Sequence, residues 1–350
     1  FSLKNTPESI PFPCGVVGYF GYDLCHFIER LPDKAVDDMG IPDMYIAFYD
    51  TMISYDNFLN TCHVIGVDFG LDNKQNDRME HMDNLLRRQS DAGYKPKDYM
   101  PGPVISEPTL KFNFTKELYM DAIGRIKDYI TAGDVYQVNL SQRIETHIDI
   151  PPYELYKKLR SINPAPFSSY LAFEDVAIIS ASPERFLKVN DRHVQTRPIK
   201  GTRPRGGDIK TDEMMKQALL ASQKDNAELT MIIDLERNDL GRVCDYGSVK
   251  VTERKVLEAY PTVYHLVSTI EGDLYERYDF IDLLKATFPG GSITGAPKIR
   301  AMQIIDELEP TQRSVYTGSI GYIGFNGDAD LNIAIRTYIM KGNTVYFQVG

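Results

Sequence analysis

The stretch Ser168–Gly201, SSYLAFEDVAIISASPERFLKVNDRHVQTRPIKG, carries the pattern that decides the fold. Its short runs of strand-forming residues are separated by polar pairs such as ED and ND, which is typical of strands joined by tight turns. Strands joined this way pair antiparallel. Helical patterns are grouped before and after this stretch and do not alternate with each strand. The sequence therefore predicts an α+β fold with antiparallel sheets.

The whole chain divides into three parts by its sequence patterns. Residues 1–93 contain short strand-like runs and a polar amphipathic helix at 73–93, which we interpret as a partial N-terminal region. Residues 94–111 are rich in Pro and Gly and are interpreted as a connector. Residues 112–350 show longer and cleaner patterns and form the main region. The chain begins without Met and stops inside a strand-like run, so we expect a fragment at both ends.

Composition limits the class of protein. The 350 residues carry 39 basic and 49 acidic side chains, a net charge of −10, without a long basic run. This argues against general binding to nucleic acid or to an anionic membrane surface. No apolar run approaches the ~20 residues of a membrane span. The scattered cysteines predict reduced thiols in the cytoplasm, without a disulfide framework or zinc site; they are Cys14, Cys25, Cys62 and Cys244.

A lone lysine in Thr196–Gly206, TRPIKGTRPRG, is the first candidate for chemistry. Most lysines beside a turn are simply solvated. Lys200, however, follows Pro198 and Ile199, which suggests a strand end that enters a packed region. Nearby guanidinium groups would also disfavour the ammonium form and favour a nucleophilic amine; the candidates are Arg197, Arg203 and Arg205. An arginine cannot act as a nucleophile in this way, because it does not lose its proton.

Three carboxylates are the next candidates. Glu184, in SPERF, is either a solvated ion-pair partner or, if buried, a general acid with a raised pKa. Asp225 and Glu228 are spaced i, i+3 on a predicted helix and therefore face one side of it. Such a pair usually points to water, but an apolar run follows at once. At the edge of the core, hard carboxylate oxygens suit Mg²⁺.

The glycine-rich segment 288–298, FPGGSITGAPK, precedes a predicted helix. It lacks the Gly-Lys-Ser/Thr ending of a nucleotide P-loop, so that interpretation is rejected. An anion-binding loop and a plain tight turn remain equal alternatives. His265 lies in a strand-like run, where a structural role is more frequent than catalysis. Arg336 alternates with apolar residues, and a ligand carboxylate would satisfy its charge.

Taken together, seven motifs resemble the chorismate-utilising enzymes, which include the anthranilate, aminodeoxychorismate, isochorismate and salicylate synthases. The motifs are GDVYQVNLSQR, SPERF, RPIKGTRPRG, AELTMIIDLERNDLGRVC, YHLVSTIEG, FPGGSITGAPKIRAMQIIDELEP and GSIGYIGFNGDADLNIAIRT. They follow the family's order from residue 112 to 350, which the resemblance makes the catalytic region. The resemblance implies two packed antiparallel sheets with outer helices, and a substrate buried between the sheets.

Within the family, Lys200 is similar to the residue of aminodeoxychorismate synthases, whereas anthranilate synthases carry Ala there. Gln137 stands where isochorismate-forming members carry a Lys that activates water, so hydration is disfavoured. The resemblance thus implies amination of chorismate at C4, which gives 4-amino-4-deoxychorismate for 4-aminobenzoate and folate. The alternative is component I of anthranilate synthase, which aminates C2 for tryptophan synthesis. A non-catalytic chorismate-binding or scaffold subunit is disfavoured by the intact Lys200, Glu184 and Glu228.

Carried over by position, Lys200 is implied to be the nucleophile and Glu184 the general acid. Glu228 is implied to bind Mg²⁺, with Asp225 beside it. The remaining matches are implied to hold the ring and the enolpyruvyl carboxylate: His265, Ser292, Tyr316 and Arg336. The family's pattern continues, beyond a strand like VYFQVG, into a helix with a second acidic metal ligand. The sequence contains no G-x-C-x-G-like glutaminase motif, so the resemblance implies ammonia from a separate glutamine amidotransferase subunit.

Overall fold

The computed structural model describes residues 10–70, 74–91 and 109–350. Within these ranges the chain forms eight α-helices and two short 3₁₀ helices, at Tyr22–Leu24 and Gly291–Ile293. In chain order the α-helices are α1 (Cys25–Ile28), α2 (Gln75–Asp91), α3 (Lys116–Ala132), α4 (Pro152–Ile162), α5 (Ile209–Ala221), α6 (Gln223–Gly241), α7 (Phe280–Thr287) and α8 (Lys298–Leu308). None of these described helices has the length and apolar character that crossing a membrane requires.

The strands of the described residues pair antiparallel throughout. In chain order they are β1 (Gly15–Phe20), β2 (Met44–Tyr49), β3 (Thr51–Asp56), β4 (Thr61–Gly66), β5 (Lys111–Phe112), β6 (Gln137–Val138), β7 (Gln142–His147), β8 (Phe167–Phe173), β9 (Val176–Ser182), β10 (Arg185–Asn190), β11 (His193–Arg197), β12 (Ile199–Pro204), β13 (Lys250–Ala259), β14 (Val263–Asp273), β15 (Gly295–Ala296), β16 (Ser319–Gly324), β17 (Ala329–Asn332), β18 (Thr337–Lys341) and β19 (Thr344–Val349).

Two large sheets organise these strands. The nine-stranded sheet has the order β12-β14-β11-β10-β17-β16-β1-β2, with β13 also paired to β14. The six-stranded sheet has the order β5-β7-β19-β18-β9-β8. Tyr19 and Ile320 of the larger sheet share one buried core with Ile178 and Ile339 of the smaller sheet. The two sheets therefore pack face to face, because each has an apolar face that must leave water.

The helices cover the outside of this arrangement. Leu229 of α6 and Leu283 of α7 pack in one core with Leu266 of the larger sheet. The predicted fold class, an α+β fold with packed antiparallel sheets and outer helices, is confirmed. Helix α2 lies within the segment predicted at 73–93. Most of the predicted connector, residues 94–111, lies outside the described residues, which resume at 109.

Local sequence explains where α3 begins and ends. The hydroxyl of Thr115 accepts a hydrogen bond from the Leu118 N–H, which caps the first turn. Gly133 adopts φ 85°, a left-handed conformation that glycine accepts without steric penalty, and it ends the helix. Both boundary signals, a Thr before the helix and a Gly after it, are visible in the sequence.

A buried arginine anchors the end of α8. Arg313 is 1% exposed, and its Nε and NH2 donate to the two carboxylate oxygens of Glu309 at 2.9 and 2.7 Å. Its NH1 also donates to the carbonyl oxygen of Ile293, at the glycine-rich segment. A charge this deeply buried is tolerated because its donors are paired.

We expect Arg313→Met to destabilise the protein by about 3–5 kcal/mol, because the buried Glu309 carboxylate then loses its counter-charge. The measurement is the free energy of unfolding in urea. Arg237→Met is the matched control, since Arg237 and its partner Asp234 have side chains that are 51% and 69% exposed. That change is expected to cost less than about 1 kcal/mol. Equal losses in the two variants would contradict the assignment of a buried anchor.

Candidate active site

A cavity of about 320 Å³ lies where the chain twice crosses from one sheet to the other. The first crossing, between β9 and β10, contains Glu184; the second, between β17 and β18, contains Arg336. The Ile333 N–H donates to the Glu184 carbonyl at 3.0 Å, and the Ala181 N–H donates to the Arg336 carbonyl at 3.1 Å. These bonds hold the two crossings side by side, so topology alone brings an acid and a cation to one place.

The structure gathers at this cavity the residues that the sequence predicts for catalysis and substrate binding. They come from both crossings, two strands, the glycine-rich segment and the turn after α8: Glu184, Lys200, His265, Ser292, Tyr316 and Arg336. Asp225 and Glu228 are not among the lining residues. The structure thus places all six residues at one cavity, and the role of each residue stays a prediction.

Lys200 reaches the cavity from β12, beside a bulge. The register of β12 against β14 shifts between Lys200 and Thr202, and Gly201 adopts φ 84° there. A Cβ at Gly201 would lie 3.0 Å from Leu219 and 3.1 Å from Asp225, so the space is tight and the left-handed conformation favours glycine. The Nζ of Lys200 donates to the Ser292 carbonyl oxygen at 2.8 Å. The amine is therefore held at the glycine-rich segment.

Glu184 also contacts the glycine-rich segment, at Ser292. Its carboxyl group, 3% exposed, accepts hydrogen bonds from the Ser292 hydroxyl at 2.6 Å and from the Ile199 N–H at 3.2 Å. Burial raises the pKa of Glu184, and these hydrogen bonds and the charge of Lys200 oppose that rise only in part. A buried carboxyl group with a raised pKa is suited to donate a proton.

His265 is held as a neutral ring. Burial, and then the charge of Arg336, lower the pKa of His265 to about 4. The Arg336 NH2 lies 3.1 Å from Nε2, so Nε2 accepts and we assign the proton to Nδ1. Nδ1 lies 2.9 Å from the Thr202 hydroxyl oxygen, which therefore accepts a hydrogen bond from the Nδ1–H. The chain Thr202–His265–Arg336 fixes the guanidinium at the cavity wall.

Tyr316 and Arg336 supply donors for an anion. Tyr316 is 6% exposed, and burial raises its pKa to about 12, so the hydroxyl remains neutral. Arg336 is half-buried, and burial lowers the pKa of its guanidinium from the usual value. Its backbone adopts φ 52°, a left-handed conformation that is strained for a side chain other than glycine. The surrounding contacts must stabilise this conformation.

Asp225 and Glu228 lie one turn apart at the start of α6, as their spacing predicts. Asp225 is buried and accepts a hydrogen bond from the Arg203 NH2 at 2.8 Å. Glu228 is half-buried, and the nearest cation is Lys224 at 3.8 Å. No three His, Cys, Asp or Glu side chains of the described residues come together as a metal-binding group. Glu228 is thus less engaged than Asp225, one of whose carboxylate oxygens is bound by Arg203.

The three arginines around Lys200 pair with carboxylates of their own. Each guanidinium lies within 2.8 Å of a carboxylate oxygen: Arg197 with Glu258, Arg203 with Asp225 and Arg205 with Asp212. These ion pairs neutralise much of the positive charge that the sequence places beside the lysine.

The four cysteines are free; Cys62 is exposed and the others are buried.

Sequence reasoning missed two residues that act on this site. Thr202 is two residues beyond Lys200 on the same strand, but the bulge at Gly201 interrupts the strand alternation, so the sequence pattern does not mark it. Glu236 is buried at 3% exposure and accepts from the Gly291 N–H at 3.0 Å. In the sequence it stands between Asp234 and Arg237 and looks like one more carboxylate on a helix surface.

Comparison with known proteins places this geometry in a family. The chain is 40% identical over 354 residues to aminodeoxychorismate synthase component 1 of Bacillus subtilis (strain 168), covering 100% of this chain and 74% of that protein. It is 41% identical over 357 residues to anthranilate synthase component 1 of Pseudomonas aeruginosa, covering 100% of this chain and 72% of that protein.

A solved structure shows the same fold. Anthranilate synthase component I from Streptococcus pneumoniae TIGR4 matches with a TM-score of 0.88 and 33% identity, covering 100% of this chain and 78% of that chain. The profile described as chorismate binding enzyme matches residues 2–350. This protein belongs to the chorismate binding enzyme family.

Proposed function

We propose that this protein aminates chorismate at C4 with ammonia to give 4-amino-4-deoxychorismate, the precursor of 4-aminobenzoate and folate. The observation that carries the proposal is the convergence of Lys200 and Glu184 on Ser292 at one cavity. An amine and a buried acid that contact the same residue supply the two groups that a covalent displacement needs.

In the first step, the neutral Lys200 amine forms a bond to C2 of the ring and the double bond shifts. The C4 hydroxyl group departs as water, because Glu184 protonates it as its bond to carbon breaks. The new secondary ammonium then loses a proton to the Glu184 carboxylate. Atoms and charge balance, and Glu184 is again protonated.

In the second step, ammonia forms a bond to C4, the double bond shifts back, and the bond from C2 to Lys200 breaks. The departing lysine nitrogen takes up the proton that the incoming ammonium group loses, which restores the neutral amine that began the reaction. The net change is one hydroxyl group replaced by one amino group, with water released. Arg336 and the Tyr316 hydroxyl are proposed to hold the enolpyruvyl carboxylate, and His265 and Ser292 to line the ring.

Glu228 is proposed to bind Mg²⁺, with Asp225 as its neighbour. Mg²⁺ prefers carboxylate oxygen and is often held by one or two side chains plus a substrate oxyanion and water. Glu228 fits this pattern, since its nearest cation is 3.8 Å away, whereas an Asp225 oxygen is engaged by Arg203. When bound, the ion supplies positive charge for the ring carboxylate.

We expect Glu228→Gln to raise the Mg²⁺ concentration required for half-maximal activity by roughly tenfold or more, because one anionic oxygen ligand is lost. The measurement is a Mg²⁺ titration of chorismate turnover. Glu213→Gln is the control, since Glu213 is exposed on the neighbouring helix α5. An unchanged Mg²⁺ requirement in Glu228→Gln would remove this residue from the metal site.

A separate glutamine amidotransferase is proposed to supply the ammonia. Ammonium salts at alkaline pH should therefore support the reaction by this chain alone, since free ammonia is the nucleophile. Glutamine should support it only when the amidotransferase is added. Turnover with glutamine and this chain alone would overturn the two-subunit proposal.

Anthranilate synthesis is the second candidate, because relatives of both kinds match at 40% and 41% identity. Lys200 favours C4 amination, since the resemblance of the sequence motifs implies Ala at this position in anthranilate synthases. The test is incubation with chorismate, Mg²⁺ and ammonium, followed by identification of the product. The 4-amino product supports the proposal; anthranilate together with pyruvate overturns it in favour of the second candidate.

A further inference from the structure

Beside the cavity, a buried group of ionisable side chains contacts the glycine-rich segment. Glu236 and Asp239 of α6 are each 3% exposed, and the Lys298 side chain at the start of α8 is 10% exposed. The carboxyl group of Glu236 accepts a hydrogen bond from the Gly291 N–H at 3.0 Å. None of these three residues lines the cavity.

Lys298 holds the residues that precede Gly291. Its ammonium group donates to Asp239, to the Thr287 carbonyl oxygen at 2.6 Å and to the Pro289 carbonyl oxygen at 3.0 Å. Lys298 thus binds two carbonyl groups before Gly291, and Glu236 binds the N–H of Gly291 itself. The backbone here is therefore held at carbonyl acceptors by Lys298 and at an N–H donor by Glu236.

The next residue along the chain makes the contacts of the cavity. Ser292 accepts from Lys200 through its carbonyl oxygen and donates to Glu184 through its hydroxyl. The segment also lies directly on α6, because a Cβ at Gly291 would be 2.5 Å from Leu235 Cδ2 and 3.0 Å from Glu236 Oε1. One peptide unit therefore separates the Glu236 hydrogen bond from both reacting groups.

We propose that Glu236 is a positioning residue, which fixes Ser292 against Lys200 and Glu184 by holding the Gly291 N–H. This inference rests on the proposed amination for its kinetic consequence. Its structural consequence, a rigid segment at 288–292, holds for whichever reaction the cavity performs.

The environment of Glu236 favours an uncharged carboxyl group. Burial, and then the nearby Asp239 carboxylate, raise the pKa of Glu236 well above its usual value, and Glu184 acts in the same direction. The Lys298 ammonium and the Gly291 N–H oppose the rise. An uncharged carboxyl group still accepts the hydrogen bond from the Gly291 N–H through its carbonyl oxygen. A glutamine side chain has the same shape and the same acceptor.

The test compares three variants of the full chain. Glu236→Gln keeps the acceptor, Glu236→Asp withdraws it by one methylene, and Glu236→Leu removes it. We expect kcat for chorismate amination to fall by roughly tenfold or more in the Asp and Leu variants, the effect of losing one buried hydrogen bond. KM for chorismate should change by less than about threefold, and Glu236→Gln should stay within about threefold of wild type in both.

Hydrogen exchange over residues 288–294 gives a second readout that does not depend on turnover. Exchange should be faster in the Asp and Leu variants and unchanged in Glu236→Gln. Asp234→Asn, on the same helix with a side chain 69% exposed, is the control for both measurements.

Unchanged exchange and unchanged kcat in the Asp variant would overturn the inference. So would equal losses in the Gln and Asp variants, since the acceptor would then not be the property that matters. A wild-type protein that consumes no chorismate would reject the proposed function, while the exchange comparison would still decide whether Glu236 holds the segment.

Discussion

Replacing Lys200 with alanine is expected to lower the rate of 4-amination by at least ~10²-fold, because covalent catalysis then has no nucleophile. The Lys200 amine donates to the Ser292 carbonyl oxygen, whereas Arg336, which is proposed to hold a substrate carboxylate, is positioned by His265. Chorismate should therefore still bind. Residual amination should shift towards C2, since the small side chain leaves that carbon open to ammonia.

Two measurements check this result. Product analysis gives the ratio of C4 to C2 amination, and intact mass analysis of wild-type protein given chorismate without ammonia should show an adduct on Lys200. Lys210→Ala is the control, since Lys210 is an exposed lysine at the start of α5.

Lys200→Arg separates the nucleophile from a simple positive charge. Arginine keeps the charge and does not lose its proton, so the variant should be as slow as Lys200→Ala. A near-normal rate in Lys200→Arg would show that the residue only attracts an anion, and the covalent step would have to be abandoned.

Much of the fold follows from local sequence. The strands between residues 168 and 201 are marked by turn pairs, and Thr115 and Gly133 mark the ends of α3. Such signals act over a few residues, so they predict elements and fold class. They do not predict that β1, near the start of the chain, lies between β16 and β2 in the larger sheet. That order depends on contacts about 300 residues apart.

The candidate site likewise contains residues that the sequence identifies and residues that it does not. Motif resemblance identifies Lys200, Glu184 and Ser292, although 92 residues separate the lysine from the serine that it contacts. It does not identify Glu236, whose importance comes from burial against Gly291 and leaves no mark on the helical pattern. The three arginines near Lys200 show the opposite case. Their sequence proximity suggests a shared electrostatic effect, but each lies against a separate carboxylate.

Glu184→Gln is expected to lower 4-amination by ~10²–10⁴-fold, because the amide cannot protonate the departing hydroxyl group. The amide oxygen can still accept from the Ile199 N–H, so the shape of the cavity should persist. Burial raises the pKa of Glu184, and catalysis requires its protonated form. The wild-type rate, expressed per concentration of free ammonia, should therefore fall as pH rises through this raised pKa.

The pH profile and the stability of Glu184→Gln complete the test. The alkaline decline should be absent from the residual activity of the variant, and Glu276→Gln, which changes an exposed glutamate, should retain the wild-type profile. A group whose pKa is raised on folding contributes stability at low pH that is lost as pH rises through the folded pKa. Because glutamine does not ionise, the variant should be at least as stable as wild type at alkaline pH. Loss of activity with loss of stability there, or a residual rate that keeps the same alkaline decline, would show that Glu184 is not the proton donor.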